Sequence, residues 1–347
     1  MEGMGAEIRQ GTGGPEYHVG NGKAVTMPAL AVFDDTKLDG QGMEGTGEPD
    51  GYVQYYARRN AQKIFGGDNL PQLLYASYVD AEMSAHPRIM HSHKNSTEIL
   101  LIASGEADFL IGYKSYHIRQ GDLIVYNAGV VHDELTSIQN KVSLWCLAVE
   151  GLRLPGLPDN CLVTEREGVV FPTGTSYDEL FYLFQMIFSS LRRGKPGAED
   201  FTQYLTYALL TRARQVIMIS AGEDGTLDGV EEENILGQRV MEYIDAHYHE
   251  PINLQSISNA LNCSKYYLSH VFKDLCGYSP MNYLIKRRIG EAQSLLISTQ
   301  RPLVEIAMDL GYDTQSYFTT QFMKFVGMSP NAYRKKYARH PDRRGRR

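Results

Sequence analysis

Between Gln72 and Glu150 apolar and polar residues alternate in short runs, "QLLYASYV", "EILLIASG", "ADFLIGYKSYHI", "DLIVYNAG" and "VSLWCLAVE", each closed by Gly or a polar turn. A period of two puts successive side chains on opposite faces, so this region predicts a β-sandwich or barrel. Two apolar helical stretches follow. "YDELFYLFQMIFSSLRR" (177–193) carries Leu180, Phe184, Ile187, Phe188 and Leu191 on one stripe, while "DFTQYLTYALLTRARQVIMI" (200–219) is apolar nearly all round. That much apolar surface must pack on the strands, between the two helices, or on a second copy of the chain.

Beyond Ile235 the same small unit occurs twice. Ile257 and Leu261 of "ISNALNCSKYYLSHVFKDLCGYSPMNY" match Ile306 and Leu310 of "IAMDLGYDTQSYFTTQFMKFVGMSPNAY" at an offset of 49. After one extra turn residue the offset is 50, for Leu268 with Phe318, Phe272 with Phe322, Gly277 with Gly327, Ser279-Pro280 with Ser329-Pro330 and Tyr283 with Tyr333. Each unit reads as two helices and a tight turn. In the first, Asn253 caps a helix with Leu254, Ile257 and Leu261 inward, Asn262 takes the left-handed turn, and Ser264 caps a second helix with Leu268, Val271 and Phe272 inward, stopped by Gly277. In the second, residues 304–310 end at Gly311, Asp313 or Thr314 caps the helix of Phe318, Phe322 and Phe325, and Gly327 closes it. An amphipathic helix of roughly 281–298, with Leu284, Ile285, Ile289, Ala292, Leu295 and Leu296 on its apolar face, connects the units.

Composition narrows the class. A chain of 347 residues, 43% hydrophobic and 22% charged, is long enough for two or three domains with their own cores. Its longest apolar runs, such as 99–103 and 216–219, fall far below the roughly 18 residues of a spanning helix, and the acidic, glycine-rich start does not read as a signal peptide. No membrane partner and a cytoplasmic location are therefore expected. Cys146, Cys161, Cys263 and Cys276 have no CxxC spacing and read as reduced thiols. The net charge of −7 conceals an asymmetry: residues 235–347 hold 16 Lys+Arg against 9 Asp+Glu, a net of +7, which leaves −14 for residues 1–234. The basic end, including Arg343, Arg344, Arg346 and Arg347, suits a polyanion.

The last hundred residues resemble the paired helix-turn-helix DNA-binding domain of the AraC/XylS family of bacterial transcription regulators. Both units, the connecting helix with Arg288 and Ala292, and the closing "GMSPNAYR" carry the likeness. Three positions depart from it: Asn262 stands where glycine is usual, Ser258 where alanine is, and Met323 where a lysine is frequent. The resemblance implies double-stranded promoter DNA as a partner, a homodimer, and contact with RNA polymerase. Second helices of such units lie in the major groove, and a rigid connector can hold two of them about 34 Å apart, one turn of duplex. Outward on the first reading helix are Lys265, Tyr266, Ser269, His270 and Lys273; outward on the second are Gln315, Ser316, Tyr317, Thr319 and Thr320. The family match assigns base edges to Tyr266, Ser269, His270, Ser316, Tyr317 and Thr320. None is an arginine suited to guanine, which points to modest base readout helped by DNA shape.

The strand region holds "HSHKNSTEILLIASG", with His91 and His93 two apart on a strand and Glu98 across a short polar turn. His91-x-His93-x4-Glu98-x6-Gly105 and Gly121-x5-Asn127-x-Gly129-x2-His132 resemble the two motifs of the cupin barrel, with Asn127 replacing the usual proline and Thr136 a typical asparagine. Three imidazoles and a carboxylate (His91, His93, Glu98, His132) suit one divalent transition metal, Fe(II), Mn(II), Ni(II) or Zn(II). The same four residues also read as a metal-free polar pocket for a small-molecule effector, or as structural remnants. Tyr75, Tyr113, Tyr126 and Trp145 are further pocket candidates, able to stack on a sugar ring.

These readings combine into an α+β multidomain chain. Residues 1–70 are a poorly legible arm, glycine-rich apart from a helical stretch at 51–65; residues 71–165 are a cupin-like effector-binding β-barrel and residues 176–219 a helical dimerisation segment. Residues 220–234 read as an acidic linker, and residues 235–340 as an all-α DNA-binding domain with two helix-turn-helix units. The expected function is ligand-responsive, sequence-specific transcriptional regulation without catalysis, with a carbohydrate as a candidate effector. The competing reading is a metal-dependent cupin enzyme, of dioxygenase or isomerase type, fused to a DNA-binding domain.

Overall fold

A computed structural model of the protein describes residues 17–19, 23–25, 70–81, 89–134, 141–223 and 232–338. The described residues fall into two units, 17–19 with 23–25 in one and those from 70 onward in the other. In the first, β1 (Tyr17–Val19) pairs antiparallel with β2 (Lys23–Val25). The rest of the arm up to residue 69, Thr136, the middle of the linker and the arginine tail lie outside the described residues.

The second unit starts with eight strands: β3 (Gln72–Val79), β4 (Ser96–Ser104), β5 (Glu106–Ile111), β6 (Lys114–Arg119), β7 (Asp122–Tyr126), β8 (His132–Glu134), β9 (Ser143–Glu150) and β10 (Val170–Pro172). They build two antiparallel sheets, a five-stranded one in the order β10-β7-β4-β9-β3 and a three-stranded one in the order β6-β5-β8. Alternation assigns the faces. Leu100 and Ile102 of β4, Ile124 and Tyr126 of β7, and Leu144 and Cys146 of β9 point to the second sheet, where they meet Phe109, Ile111 and Ile118. The intervening Ile99, Leu101, Leu123, Val125, Trp145, Leu147 and Val149 point the other way.

That second face is covered by α1 (Tyr177–Arg193) and α2 (Ala198–Glu223). Leu180, Phe184 and Ile187 of α1 are buried there with Leu209, Leu210, Ala213, Val216 and Ile217 of α2, and Phe188 and Leu191 pack against the same core. The expectation that the α1 stripe meets a second copy is thereby corrected: with both faces of β4 buried, the sheet needs an apolar cover, and α1 supplies it. The strand region also runs past residue 165, because β10 pairs with β7.

Helices fill the remainder: α3 (Glu232–His247), α4 (Leu254–Ala260), α5 (Lys265–Cys276), α6 (Pro280–Ser298), α7 (Leu303–Asp309), α8 (Gln315–Val326) and α9 (Pro330–Tyr337). Since α2 reaches Glu223 and α3 begins at Glu232, helix occupies both ends of the stretch read as linker. The caps explain the boundaries. Asn253 accepts from the Gln255 and Ser256 amides, Ser264 from Tyr267, Ser279 from Asn282, Thr314 from Tyr317 and Ser329 from Ala332. Asn262 takes φ 52° in the turn between α4 and α5, and α5 and α8 both end on left-handed glycines, Gly277 and Gly327. Ser258, where a smaller residue is usual, is buried and donates to Cys263 O at 2.6 Å, which fixes that turn.

One stability test follows from the double burial of β4. Phe184→Ala removes a ring with 1% exposure between α1 and the sheet, so it should lower unfolding stability by about 3–5 kcal/mol. Urea unfolding followed by fluorescence of Trp145, the single tryptophan, reports on this same core. A midpoint like that of the parent would show that α1 does not seal the sheet.

Candidate functional site

The antiparallel register brings one row of inward residues across four strands. Tyr75 of β3 stands opposite Ala148 of β9, Ala148 opposite Glu98 of β4, and Glu98 opposite Tyr126 of β7. Ala148 is small enough for Tyr75 to reach across it, and the Tyr75 hydroxyl donates to Glu98 Oε1. The histidines arrive from outside the sheet. His91 and His93 are not on a strand, which corrects the sequence reading: His91 forms an isolated antiparallel bridge with His132, donating N–H to its carbonyl at 3.0 Å and accepting from its N–H at 2.9 Å. Two residues on, the His93 carbonyl accepts from Gly129 N–H at 2.8 Å.

These contacts converge four donors. His91 Nε2 lies 3.2 Å from His132 Nε2, His93 Nε2 is 3.2 Å from Glu98 Oε1, and His132 Nε2 is 3.5 Å from Glu98 Oε2. All four ligand atoms fall within 4.8 Å of one another. Nitrogen ligands about 2.1 Å from one ion, at angles of roughly 90–109°, stand about 3.0–3.4 Å apart, close to the three shorter separations here, so the donor set suits a transition metal around which the wider separations draw in. His132 donates Nδ1–H to Val130 O at 3.1 Å, leaving Nε2 as its lone-pair nitrogen. His91, Glu98 and His132 are buried, whereas the His93 side chain keeps 21% exposure and opens the cluster to solvent.

The electrostatics agree with a cation-binding set. Burial works to raise the Glu98 pKa, but hydrogen bonds from His132 and His93 outweigh it and hold the carboxyl well below the usual carboxylate range. Burial lowers the His132 pKa against the pull of Glu98, favouring the neutral ring that a metal requires. Tyr126 stacks on His132 with centroids 3.9 Å apart and planes at 15°. Its hydroxyl is buried without a hydrogen-bond partner among the described residues, and burial drives its pKa well above the ordinary phenol value.

Two of the aromatic candidates are elsewhere. Trp145 faces α1, between Tyr78 (4.4 Å) and Phe188 (5.5 Å), because its neighbours Leu144 and Cys146 take the inward positions. Tyr113 sits in the β5–β6 hairpin and packs against the core of the helical half. Neither joins the cluster, while Tyr75 and Tyr126 do. Asn127, standing where the motif has proline, serves as a staple: its Oδ1 accepts from Leu162 N–H (2.8 Å) and Val163 N–H (3.3 Å), and its Nδ2 donates to Val163 O (2.8 Å).

On the helical half, Lys265, Tyr266, His270 and Lys273 of α5 and Gln315, Ser316, Tyr317 and Thr320 of α8 are exposed, Tyr266 at 79%. Ser269 and Thr319 are half-buried at the margins of these faces. His270 Nδ1 pairs with Asp274 at 3.0 Å, and Thr320 donates to Ser316 O at 3.1 Å. Arg288 faces inward instead, donating to Tyr248 O (2.6 Å) and Glu250 O (2.7 Å) and thus tying α6 to the end of α3.

Residues 73–210 match the model of the AraC-like ligand binding domain, and residues 257–336 match that of a helix-turn-helix domain. Regulatory protein SoxS of Salmonella typhimurium is 34% identical over 97 residues, 28% of this chain and 91% of SoxS. The chain belongs to the AraC family of transcriptional regulators. The uncharacterized HTH-type transcriptional regulator YdiP of Escherichia coli is 25% identical over 248 residues, 71% of this chain and 81% of that protein. The lactose operon transcription activator of Staphylococcus xylosus is 22% identical over 234 residues, 67% of this chain and 82% of that protein. This AraC-family regulator thus joins a DNA-binding domain to a ligand-binding one, and no helix among its described residues is long and apolar enough to cross a membrane.

The Asn127 staple gives a direct test. Asn127→Ala leaves two amides, of the buried residues Leu162 and Val163, without their acceptor, at a cost of about 2–3 kcal/mol. Calorimetry should show the ligand-binding half melting earlier; an unchanged melt would mean that the 158–163 loop is held by other contacts.

Proposed function

We propose that this regulator senses a small molecule at a divalent metal held by His91, His93, Glu98 and His132 in a cupin-type barrel, and reads promoter DNA with α5 and α8. The observation that carries the sensing site is the convergence of four metal-type donors, from three chain segments, within the domain matched as ligand-binding. The metal would supply a Lewis-acidic point for an oxygen-bearing effector. The chain's own contribution is orientation: Val130 fixes the His132 tautomer, His132 and His93 keep Glu98 ionised, Tyr75 donates a hydrogen bond to it, and the exposed edge of His93 marks the approach. A carbohydrate or other polyhydroxylated effector fits Tyr75, Tyr126 and Glu98 around such an ion.

The helix pairs α4–α5 and α7–α8 act as two helix-turn-helix units, with α6 as the rigid connector that spaces their reading helices one duplex turn apart. Assembly as a homodimer uses α2 rather than α1. Phe201, Tyr204, Ala208, Gln215 and Met218 are exposed at heptad-like spacing along α2, and Ile219 extends the stripe.

Two experiments test this reading. Protein purified without chelator should carry close to one divalent transition metal per chain by elemental analysis, and His91→Ala combined with His93→Ala should abolish it, because two ligands lost from four leave too weak a site. Parent protein without metal whose double mutant nevertheless loses its reporter response would make the cluster a metal-free effector pocket. Turnover of a substrate that vanishes with Glu98→Gln would make it an enzyme. On the DNA side, His270→Ala and Thr320→Ala should each weaken operator binding by about 1–3 kcal/mol while sparing random DNA. Equal losses on both DNAs in a competition assay would remove these residues from base readout.

A further inference from the structure

The segment that carries the histidines is also the seat of the DNA-binding half. Residues neighbouring His91 and His132 meet one face of α6, made by Lys286, Gly290 and Gln293 at helical spacing. Gln293 Oε1 accepts from Ile89 N–H at 2.9 Å. Asp133, buried and adjacent to His132, accepts from Met90 N–H (3.2 Å) through Oδ1 and pairs through Oδ2 with Lys286 Nζ at 2.7 Å. Arg287 donates to Ser92 Oγ at 2.9 Å and is flanked by Asp245 and Glu291, each at 3.4 Å. Gly290 makes the approach possible, since a Cβ there would lie 1.9 Å from Met90 O and 2.3 Å from Ile89 O. Glycine inside a helix is worse than alanine by roughly 0.5–1 kcal/mol, so the position favours contact over helix stability.

We propose that Asp133 and Gly290 form a coupling joint, through which the His91/His132 strip and the connector α6 move together, so that the state of the cluster and the engagement of DNA influence each other. Most residues of both reading faces are exposed while the joint is made. What the joint controls is α6, whose ends position α5 and α8. Linkage then requires reciprocity: whatever the cluster does to DNA affinity, DNA does to the strip.

The proposal rests on the cluster being the sensing site, and a test on the full chain separates the two. Amide exchange is followed in 89–93 and 131–134 with and without a saturating duplex, selected from random-sequence DNA by the parent protein. In the parent, duplex should change exchange in both strips roughly fivefold or more, the lower end of ordinary coupling. Gly290→Ala, a favourable change for an isolated helix, should abolish that response while the duplex still binds and β4 and β7 exchange as in the parent. Asp133→Asn keeps an acceptor for Met90 N–H but loses the pair with Lys286, and should reduce the response. Strips in the parent that ignore the duplex, or a full response in either variant, overturn the joint. Metal content measured on the same samples judges the other reading: a parent chain without metal that still shows the response removes the metal and leaves the joint standing.

Discussion

Two backbone hydrogen bonds between His91 and His132 set the geometry on which both halves of the second unit depend. In an antiparallel bridge neighbouring side chains alternate in direction, so one pair of contacts decides two surfaces. His91 and His132 turn inward, toward Glu98. Met90, Val131 and Asp133 turn outward, to the helices around α6, where Met90 and Val131 enter the same core as Ile289 and Ala292. A cluster of chemically demanding residues and an interdomain seat therefore share one short length of backbone, and neither can shift alone.

The helical half was legible because its signals are local. Asn253, Ser264 and Thr314 cap where the sequence places caps, and Asn262 and the two glycines end helices by their own conformational tolerance. The His/Glu set was legible from spacing, although the reason it converges was not. His91 and His93 looked like a strand pair, whereas a long-range bridge to His132, 41 residues away, brings them together. Parity explains the misplaced aromatics: Trp145 lies in a run apolar on both faces, so the alternation that would have pointed it away from the cluster is invisible in sequence. Short strands such as β8 and β10 have three residues each, too few to show a period. The α1 stripe was read as amphipathic correctly, but an apolar stripe does not say whether its partner is the same chain or another. Gly290 offered the one available hint of the joint, as a glycine inside an otherwise regular helical pattern.

The position of α6 gives the joint its reach. This helix is buried along much of its length: Tyr283, Leu284, Ile289, Ala292 and Leu296 enter the common core of the helical half, and Gly290 and Gln293 meet the strip. Arg288 anchors it to the end of α3, stacked over Tyr312 near the start of α8. A small rotation of such a helix is felt at both reading helices at once, because packed interfaces change between discrete arrangements rather than deforming smoothly.

The chemistry of the contact suits a joint better than a permanent weld. Lys286–Asp133 is a buried ion pair, with side chains 15% and 3% exposed, and Asp133 supports the pair with a backbone hydrogen bond. Desolvating two charges offsets most of their attraction, so a pair of this kind adds little net stability while making misaligned arrangements costly. Arg287 adds a hydrogen bond to Ser92 of the strip while its acidic neighbours, Asp245 of α3 and Glu291 of α6, keep its charge paired within the helical half. Apolar contacts alone would hold α6 without selecting one orientation. A seat that adds one glycine contact, one glutamine, one buried ion pair and the Arg287–Ser92 hydrogen bond to the apolar contacts of Ile89, Met90 and Val131 fixes α6 in a single orientation, one that a ligand's binding energy of a few kcal/mol can shift.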